Sequence, residues 1–269
     1  MPLGNILSSL DKDMLRTSLI MPVYNGATTL EKALASVAEQ THPVDEVVVV
    51  NDGSTDATST NIDNWRNRLP LLVVENPQNL GLTHSLQLGV KSATGDLVFR
   101  LDADDIWFPE HAETLVSLAL AHPRAVLFAA RARIFDSTGK PIGVSATVAE
   151  EKVRAQLFWD NPLVHSAIAF DKDAYAAVGG YRGPIYAEDY DLWIRLLRYG
   201  QLAATDRVSV RYYVFDGSIS RIKRKLALRT RLGLQLQAIR AFAERHPFIA
   251  ARTLPVVLLR QLLNRINLT

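Results

Sequence analysis

Cysteine is absent from the 269-residue chain. Disulfides, thiolate nucleophiles and zinc–thiolate sites are therefore excluded, and a reducing compartment is consistent. No uninterrupted apolar run approaches the roughly 20 residues of a membrane span. The opening stretch MPLGNILSSLDKDMLRTS has no basic start, and Asp11, Lys12 and Asp13 interrupt it, so it does not read as a signal peptide. Also missing are the G-x-G-x-x-G turn, the G-x-x-x-x-G-K-[ST] phosphate loop and the G-x-S-x-G nucleophile elbow. If phosphate is bound here, metal and carboxylates must help to manage it. What remains is an ordinary globular composition, 48% hydrophobic and 22% charged, long enough for one large core or one core plus an appendage. The expectation is a cytoplasmic protein.

The formal net charge of +2 conceals an asymmetry. From Arg221 to Thr269 there are eleven Lys/Arg and a single acid, Glu244, a local charge of +10, which leaves −8 for the rest. A mildly acidic body and a basic tail suggest two differently employed parts.

Along the body, strand and helix signals alternate. SLIMPVY is a short apolar strand, followed by a helix over Thr28–Gln40 with Leu30, Leu34 and Val37 at helical spacing. DEVVVVND is a β-branched run of the kind buried on both faces of a parallel sheet. A polar helix, the strand LPLLVVEN, a helix near Leu82–Ser92 and the strand GDLVFRLD follow. This order predicts an α/β fold with a mostly parallel sheet flanked by helices. Ligands bind such sheets at the carboxyl ends of the strands, and YNG, NDGSTD, ENPQNLG and DADD all fall there. Further on, a helix is expected from Pro109, strands in RAVLFAARARIF, HSAIAF and RVSVRYYVF, and a turn at TGKPIG. YAEDYDLWIRLLRYG predicts an amphipathic helix ending at Gly200, and the tail two helices broken near RHP.

Three acidic clusters carry the chemistry, and each also has a plain structural account. In DADD, Asp102 and Asp104 lie two apart, so in extended backbone they point the same way, with Asp105 beginning the turn. Carboxylates so placed suit a hard cation such as Mg²⁺ or Mn²⁺, or else favour the dipole of the next helix. NDGSTD either caps a helix or offers Asp52 to the N–H edge of a base. In AEDYDLW, Glu188, Asp189 and Asp191 either complement a helix dipole or supply a general base.

Taken in order, MPVYNG, VVVVNDGSTD, NLGLTHSLQLGV, GDLVFRLDADDIW, NPLVHSAIAF, GGYRGPIYAEDYDLWIRL and YYVFDGSIS resemble the family-2 glycosyltransferases of the GT-A fold, in register from about Ser18 to Ser220. The resemblance implies a Rossmann-like nucleotide-diphospho-sugar transferase domain over 1–220 with a helical appendage over 221–269. It implies inverting transfer from a nucleotide diphosphosugar, most often a UDP-sugar, to a hydroxyl of a glycan or lipid-linked glycan in surface polysaccharide biosynthesis. Carried over by position, Pro22, Val23, Tyr24, Asn25, Asp52, Asn79, Asp102 and Ala103 belong to the nucleotide sugar. Asp104, with Asp102, falls to a divalent cation, Mn²⁺ or Mg²⁺; Asp189 to the general base; and His165, Ser166, Glu188 and Trp193 to the sugar and acceptor side. Three blocks depart from the family. Asn51 stands for an Asp, Leu86-Gln87 for an Arg-Asn pair, and Phe215 for a histidine that often completes metal coordination. His165 is a substitute ligand only if the fold brings it close. Two other readings are a sugar-nucleotide pyrophosphorylase, disfavoured by the single glycine in PVYNGATTL, and a degenerate nucleotide- or glycan-binding module.

The tail beyond Arg221 is outside the resemblance. Its apolar residues recur at helical spacing with Arg around them. That pattern suits an amphipathic segment on the inner face of an anionic membrane, helices packed on the body, or an interface. An acidic body without a recognition motif argues against nucleic acid.

Overall fold

The computed structural model describes residues 15–146, 149–182, 187–215, 224–244 and 246–266. Residues 183–186 and the DGSIS block at 216–220 lie outside them. In chain order the elements begin with β1 (Thr17–Val23), α1 (Leu30–Ala38), β2 (Glu46–Asn51), α2 (Thr58–Asp63), β3 (Leu71–Glu75), α3 (Leu82–Ser92) and β4 (Leu97–Arg100). They continue with β5 (Ile106–Trp107), α4 (His111–Ala121), β6 (Ala125–Asp136), β7 (Pro141–Val144), α5 (Glu150–Gln156) and β8 (Ile168–Asp171). The last are α6 (Lys172–Ala177), α7 (Glu188–Tyr199), β9 (Gln201–Val214), α8 (Arg224–Phe242) and α9 (Pro247–Ile266).

Among the described residues the strands form one nine-stranded sheet in the order β3-β2-β1-β4-β8-β6-β9-β5, with β7 paired to β6. The first four are parallel, joined through α1, α2 and α3. The continuous β-branched run of β2 is buried on both faces, whereas the edge strand β3 is only partly buried. Val47 and Val49 of β2 enter one core with α1, α2 and α4, while Val48 and Val50 enter the other with α3 and α7. Beyond β4 the sheet turns mixed, because β8 runs antiparallel to both β4 and β6. Where TGKPIG reads as a turn alone, a turn leads into β7, which closes a hairpin on β6. The predicted helix at Pro109 begins two residues later, at His111.

Helices α8 and α9 add Leu232, Ala238, Phe242, Ala250 and Val257 to the α3/α7 core. The joint is organised by Arg154 of α5, which is almost wholly buried. Its guanidinium pairs with Glu150, donates to the carbonyls of Leu197 and Gly200 at the C-terminus of α7, and stacks on Phe242 of α8. Those carbonyls otherwise lack intrahelical donors. Arg154→Ala would strand Glu150 and both carbonyls together. The expected loss is about 3 kcal/mol of unfolding free energy, read in urea denaturation.

Candidate active site

The loops after β1 and β2 clasp each other at the carboxyl edge of the sheet. Asn25 takes the left-handed φ of 50°. Its side-chain oxygen accepts from the Thr55 N–H at 2.8 Å, and its own N–H donates to Ser54 Oγ at 2.9 Å. Gly53, at φ 69°, lies so near the Gln78 backbone that a Cβ would come within 2.4 Å of a carbonyl carbon, so this turn admits glycine alone. Pro22 and Val23 are buried and Tyr24 and Asn25 exposed, which leaves the latter two facing the crevice mouth. Asp52 is buried. Its carboxylate accepts from Asn76 at 2.6 Å and from the backbone N–H groups of Leu80 and Gly81, each at 2.9 Å. It therefore anchors the loop that carries exposed Asn79. Of a carboxylate's roughly four lone-pair positions, three are engaged there.

Downstream of β4, Asp102–Asp105 is a turn closed by the Asp105 N–H on the Asp102 carbonyl at 3.0 Å. This corrects the expectation of an extended Asp102-Ala103-Asp104: Asp105 ends the turn, and the three carboxyls part company. Asp105 is buried, accepting from the Tyr213 N–H at 2.9 Å and from the Ser166 hydroxyl. Burial and the neighbouring charges of Asp102 and Asp104 push it well above the usual carboxylate range. Asp102 turns back onto Arg100. Burial alone would raise its pKa, yet the guanidinium and hydrogen bonds outweigh that and hold it low. Asp104 is half-buried, and no other described residue donates to its carboxylate. Burial and the Asp102 charge raise it to about 6.

The facing wall is the N-terminal turn of α7. Asp189 accepts from Asn161 Nδ2 at 2.6 Å and from the Tyr190 N–H at 2.7 Å. Burial lifts its pKa to about 6, and the Asp102 charge adds to the rise. Glu188 is more deeply buried and is raised to about 8 by burial and by Asp189. At neutral pH the pair thus divides into an ionised Asp189 and a protonated Glu188. His165 meets the Tyr181 hydroxyl at 2.7 Å, and burial and Arg100 lower its pKa to about 3. Trp193 is fully buried with its ring edge-on to His165 at 5.7 Å; it supports the site from beneath instead of lining it. Ser166, likewise buried, clasps the acid turn. Besides its bond to Asp105 it accepts from the Asp102 N–H at 3.0 Å.

The sequence profile described as Glycosyl transferase family 2 matches residues 18–179. The chain belongs to this family. Among curated relatives, this glycosyltransferase is 34% identical over 190 residues to the amylovoran biosynthesis glycosyltransferase AmsE of Erwinia amylovora, covering 70% of this chain and 71% of that one. It is 28% identical over 192 residues to the UDP-Gal:alpha-D-GlcNAc-diphosphoundecaprenol beta-1,3-galactosyltransferase of Escherichia coli, with 70% of each covered. Its fold matches S. aureus TarS 1-349 in complex with UDP at a TM-score of 0.66 and 20% identity, over 86% of this chain and 70% of the other. It also matches the mannosyltransferase PcManGT of Pyrobaculum calidifontis in complex with GDP-Man and Mn²⁺ at 0.61 and 21%, over 91% and 74%. The architecture is thus the GT-A glycosyltransferase fold.

Four residues of the candidate site were missed in the sequence. Asn161 aims Asp189. Tyr181 meets His165. Tyr212 of β9 feels Asp105, Asp102, Asp189 and Asp104 together, its phenol raised first by burial and then by those charges, so it marks where both walls converge. Arg100 matters most and had a signal: two residues before Asp102 in an extended strand, it shares a face with the buried core, where a bare cation is costly. At the departing positions, Leu86 is core and Gln87 donates to the Tyr181 carbonyl at 2.8 Å. Phe215 stacks on Tyr213, which stacks on Phe135. Among the described residues no cluster of three or more His, Asp or Glu side chains is arranged around a metal position. Arg100→Met would leave Asp102 without its cation, at an expected cost of about 3 kcal/mol. Adding Asp102→Asn should recover part of that loss, and urea unfolding of both single variants and the double variant measures the coupling.

Proposed function

We propose that this protein is an inverting glycosyltransferase that moves a sugar from a nucleotide diphosphosugar, a UDP-sugar, to a hydroxyl of a glycan or lipid-linked glycan in surface polysaccharide biosynthesis. One observation carries the reading: an ionisable carboxylate, Asp189, is oriented by Asn161 and faces a separate acid turn across the crevice at the strand ends. The activities of the Erwinia and Escherichia relatives, and the UDP bound by TarS, support the donor and the pathway class. In this reading residues 1–220 form the catalytic domain, 221–269 an appendage, and the protein works in the cytoplasm at the inner face of the membrane.

Each wall then has a task. Tyr24, Asn25, Asp52 and Asn79 frame the nucleotide, with the remaining acceptor position of Asp52 open to a base N–H. Asp189 removes the proton of the acceptor hydroxyl as it attacks. Displacement in line inverts the anomeric carbon with no covalent enzyme intermediate, in keeping with a sequence that has no cysteine and no G-x-S-x-G elbow. Glu188, protonated beside it, adds no competing negative charge. The donor set at the acid turn fits a hard divalent ion, because Asp104 presents an oxygen that no described residue occupies and Asp102 is kept ionised. Bound by Asp104 with Asp102, Mn²⁺ or Mg²⁺ would neutralise the charge developing on the departing nucleoside diphosphate.

Asp189→Asn should lower kcat by roughly 10²- to 10⁴-fold with donor affinity retained, measured by nucleotide release and by calorimetric titration with UDP. Equal transfer by wild type and variant would refute the base assignment. UDP binding with no turnover by any nucleotide sugar would favour the binding module. Because Asp189 must be ionised and its pKa is raised to about 6, kcat/KM of the wild type should fall as pH drops through that value and level off above it. Asp104→Ala should abolish the response to Mn²⁺ after chelation, seen both in transfer rate and in metal-dependent thermal stabilisation.

A further inference from the structure

Helix α9 has two unlike faces. Ala250, Thr253 and Val257 recur at helical spacing and are buried against the body. On the rest of the surface Phe248, Leu254, Leu258 and Leu259 are 85%, 37%, 48% and 56% exposed. Large apolar side chains repeated along one exposed helix mark a surface that meets something apolar. Between α9 and α5 opens a cavity of about 590 Å³, lined by Lys152, Gln156 and Trp159 on one side and Ile249, Arg252 and Val256 on the other. Its walls are largely apolar, and Lys152 and Arg252 are exposed cations at its edge. Of the acids nearby, Glu150 pairs with Arg154, whereas the Glu151 side chain is 71% exposed, 3.3 Å from His246 Nε2.

We propose that this α5–α9 face docks on an anionic lipid bilayer. Phe248, Leu254, Leu258 and Leu259 enter the boundary between headgroups and acyl chains, while Arg252 and Lys152 meet lipid phosphates. Three observations favour lipid over a second copy of the chain. The exposed cations Lys152 and Arg252 flank the apolar ridge, so a self-complementary contact would set like charges together. The segment 221–269 holds eleven Lys/Arg against one acid, a charge suited to an anionic surface. Arg252 lies on the ridge itself, and long cationic side chains at such a boundary reach up to the headgroups. The face is also joined to the catalytic wall. Trp159 lines the cavity, and Asn161, two residues or about 7 Å of chain further on, holds Asp189. A consequence that rests on the transferase reading is that docking presents Asp189 to an acceptor anchored in the same bilayer.

Trp159 supplies the readout, because it is 38% exposed whereas Trp65, Trp107 and Trp193 are 5%, 2% and 0% exposed. The full chain is mixed with vesicles of phosphatidylcholine alone, or with about 30% phosphatidylglycerol, and followed by co-sedimentation and tryptophan emission. The expected result is binding to the anionic vesicles with a blue shift that Trp159→Phe removes and added salt weakens. Leu258→Glu with Leu259→Glu, and separately Arg252→Glu, should each lower partitioning by about tenfold or more. These exposed substitutions should leave the melting temperature and the acceptor-independent hydrolysis of the donor unchanged, so a failure of docking is distinguishable from a failure of the transferase reading. The proposal is overturned if anionic vesicles bind no better than neutral ones, or if the variants bind as well as wild type. It is equally overturned if the leucine variants abolish a concentration-dependent dimer of a protein that ignores vesicles.

Discussion

The site depends on a buried guanidinium standing among carboxyl groups. Arg100 is fully buried at the end of β4, pairs with Asp102, and leaves its Nε and Nη1 hydrogens without a partner among the described residues. Each unsatisfied buried donor costs about 1–3 kcal/mol, so the arrangement is retained against its own local cost. What it supports is charge. Asp102, Asp104, Asp105, Glu188 and Asp189 lie within electrostatic reach of one another, and like charges about 4 Å apart repel by roughly 4 kcal/mol near a protein surface. They cannot all ionise. Arg100 decides that Asp102 does, and burial decides that Asp105 and Glu188 resist, which leaves Asp189 and Asp104 poised near neutrality.

The fold creates this situation by bringing unlike segments to one edge. The parallel half of the sheet delivers two strand-end loops that brace each other through Asn25, Ser54 and Thr55, and a third, the acid turn. The mixed half supplies what encloses them: Ser166 from the turn before β8, Tyr212 and Tyr213 from β9, and the acid pair from α7. Ser166 is the hinge between the halves, because one hydroxyl serves both the backbone of Asp102 and the carboxyl of Asp105. The rigid partner of the strand-end loops is thus the same layer that holds Asp189.

Much of this was legible in the chain. The β-branched run of β2, the amphipathic spacing of α1 and α7 and the break before Pro247 were visible because periodicity reports burial directly. The short β5 and β7, and the helices α5 and α6, were not, because so few residues carry no period. Asp189 and Asp104 were singled out by position within motifs. The roles of Ser166 and Trp193 were not: a motif shows that a residue belongs to the site, but not whether it lines the crevice or holds it from behind. The extended geometry assumed for Asp102–Asp104 failed for a related reason, since a backbone hydrogen bond at the strand end turned the chain first.

The alternation of strands and helices through β4, the family and the identity of the acids were determined by the sequence alone, because hydrophobic patterning and motif order are local properties of the chain. Which acid is charged, which is a structural clasp and which is free for chemistry was decided only in the tertiary structure. Ionisation depends on burial and on neighbours, and the neighbours come from far away: the backbone N–H that holds Asp105 belongs to Tyr213, 108 residues later.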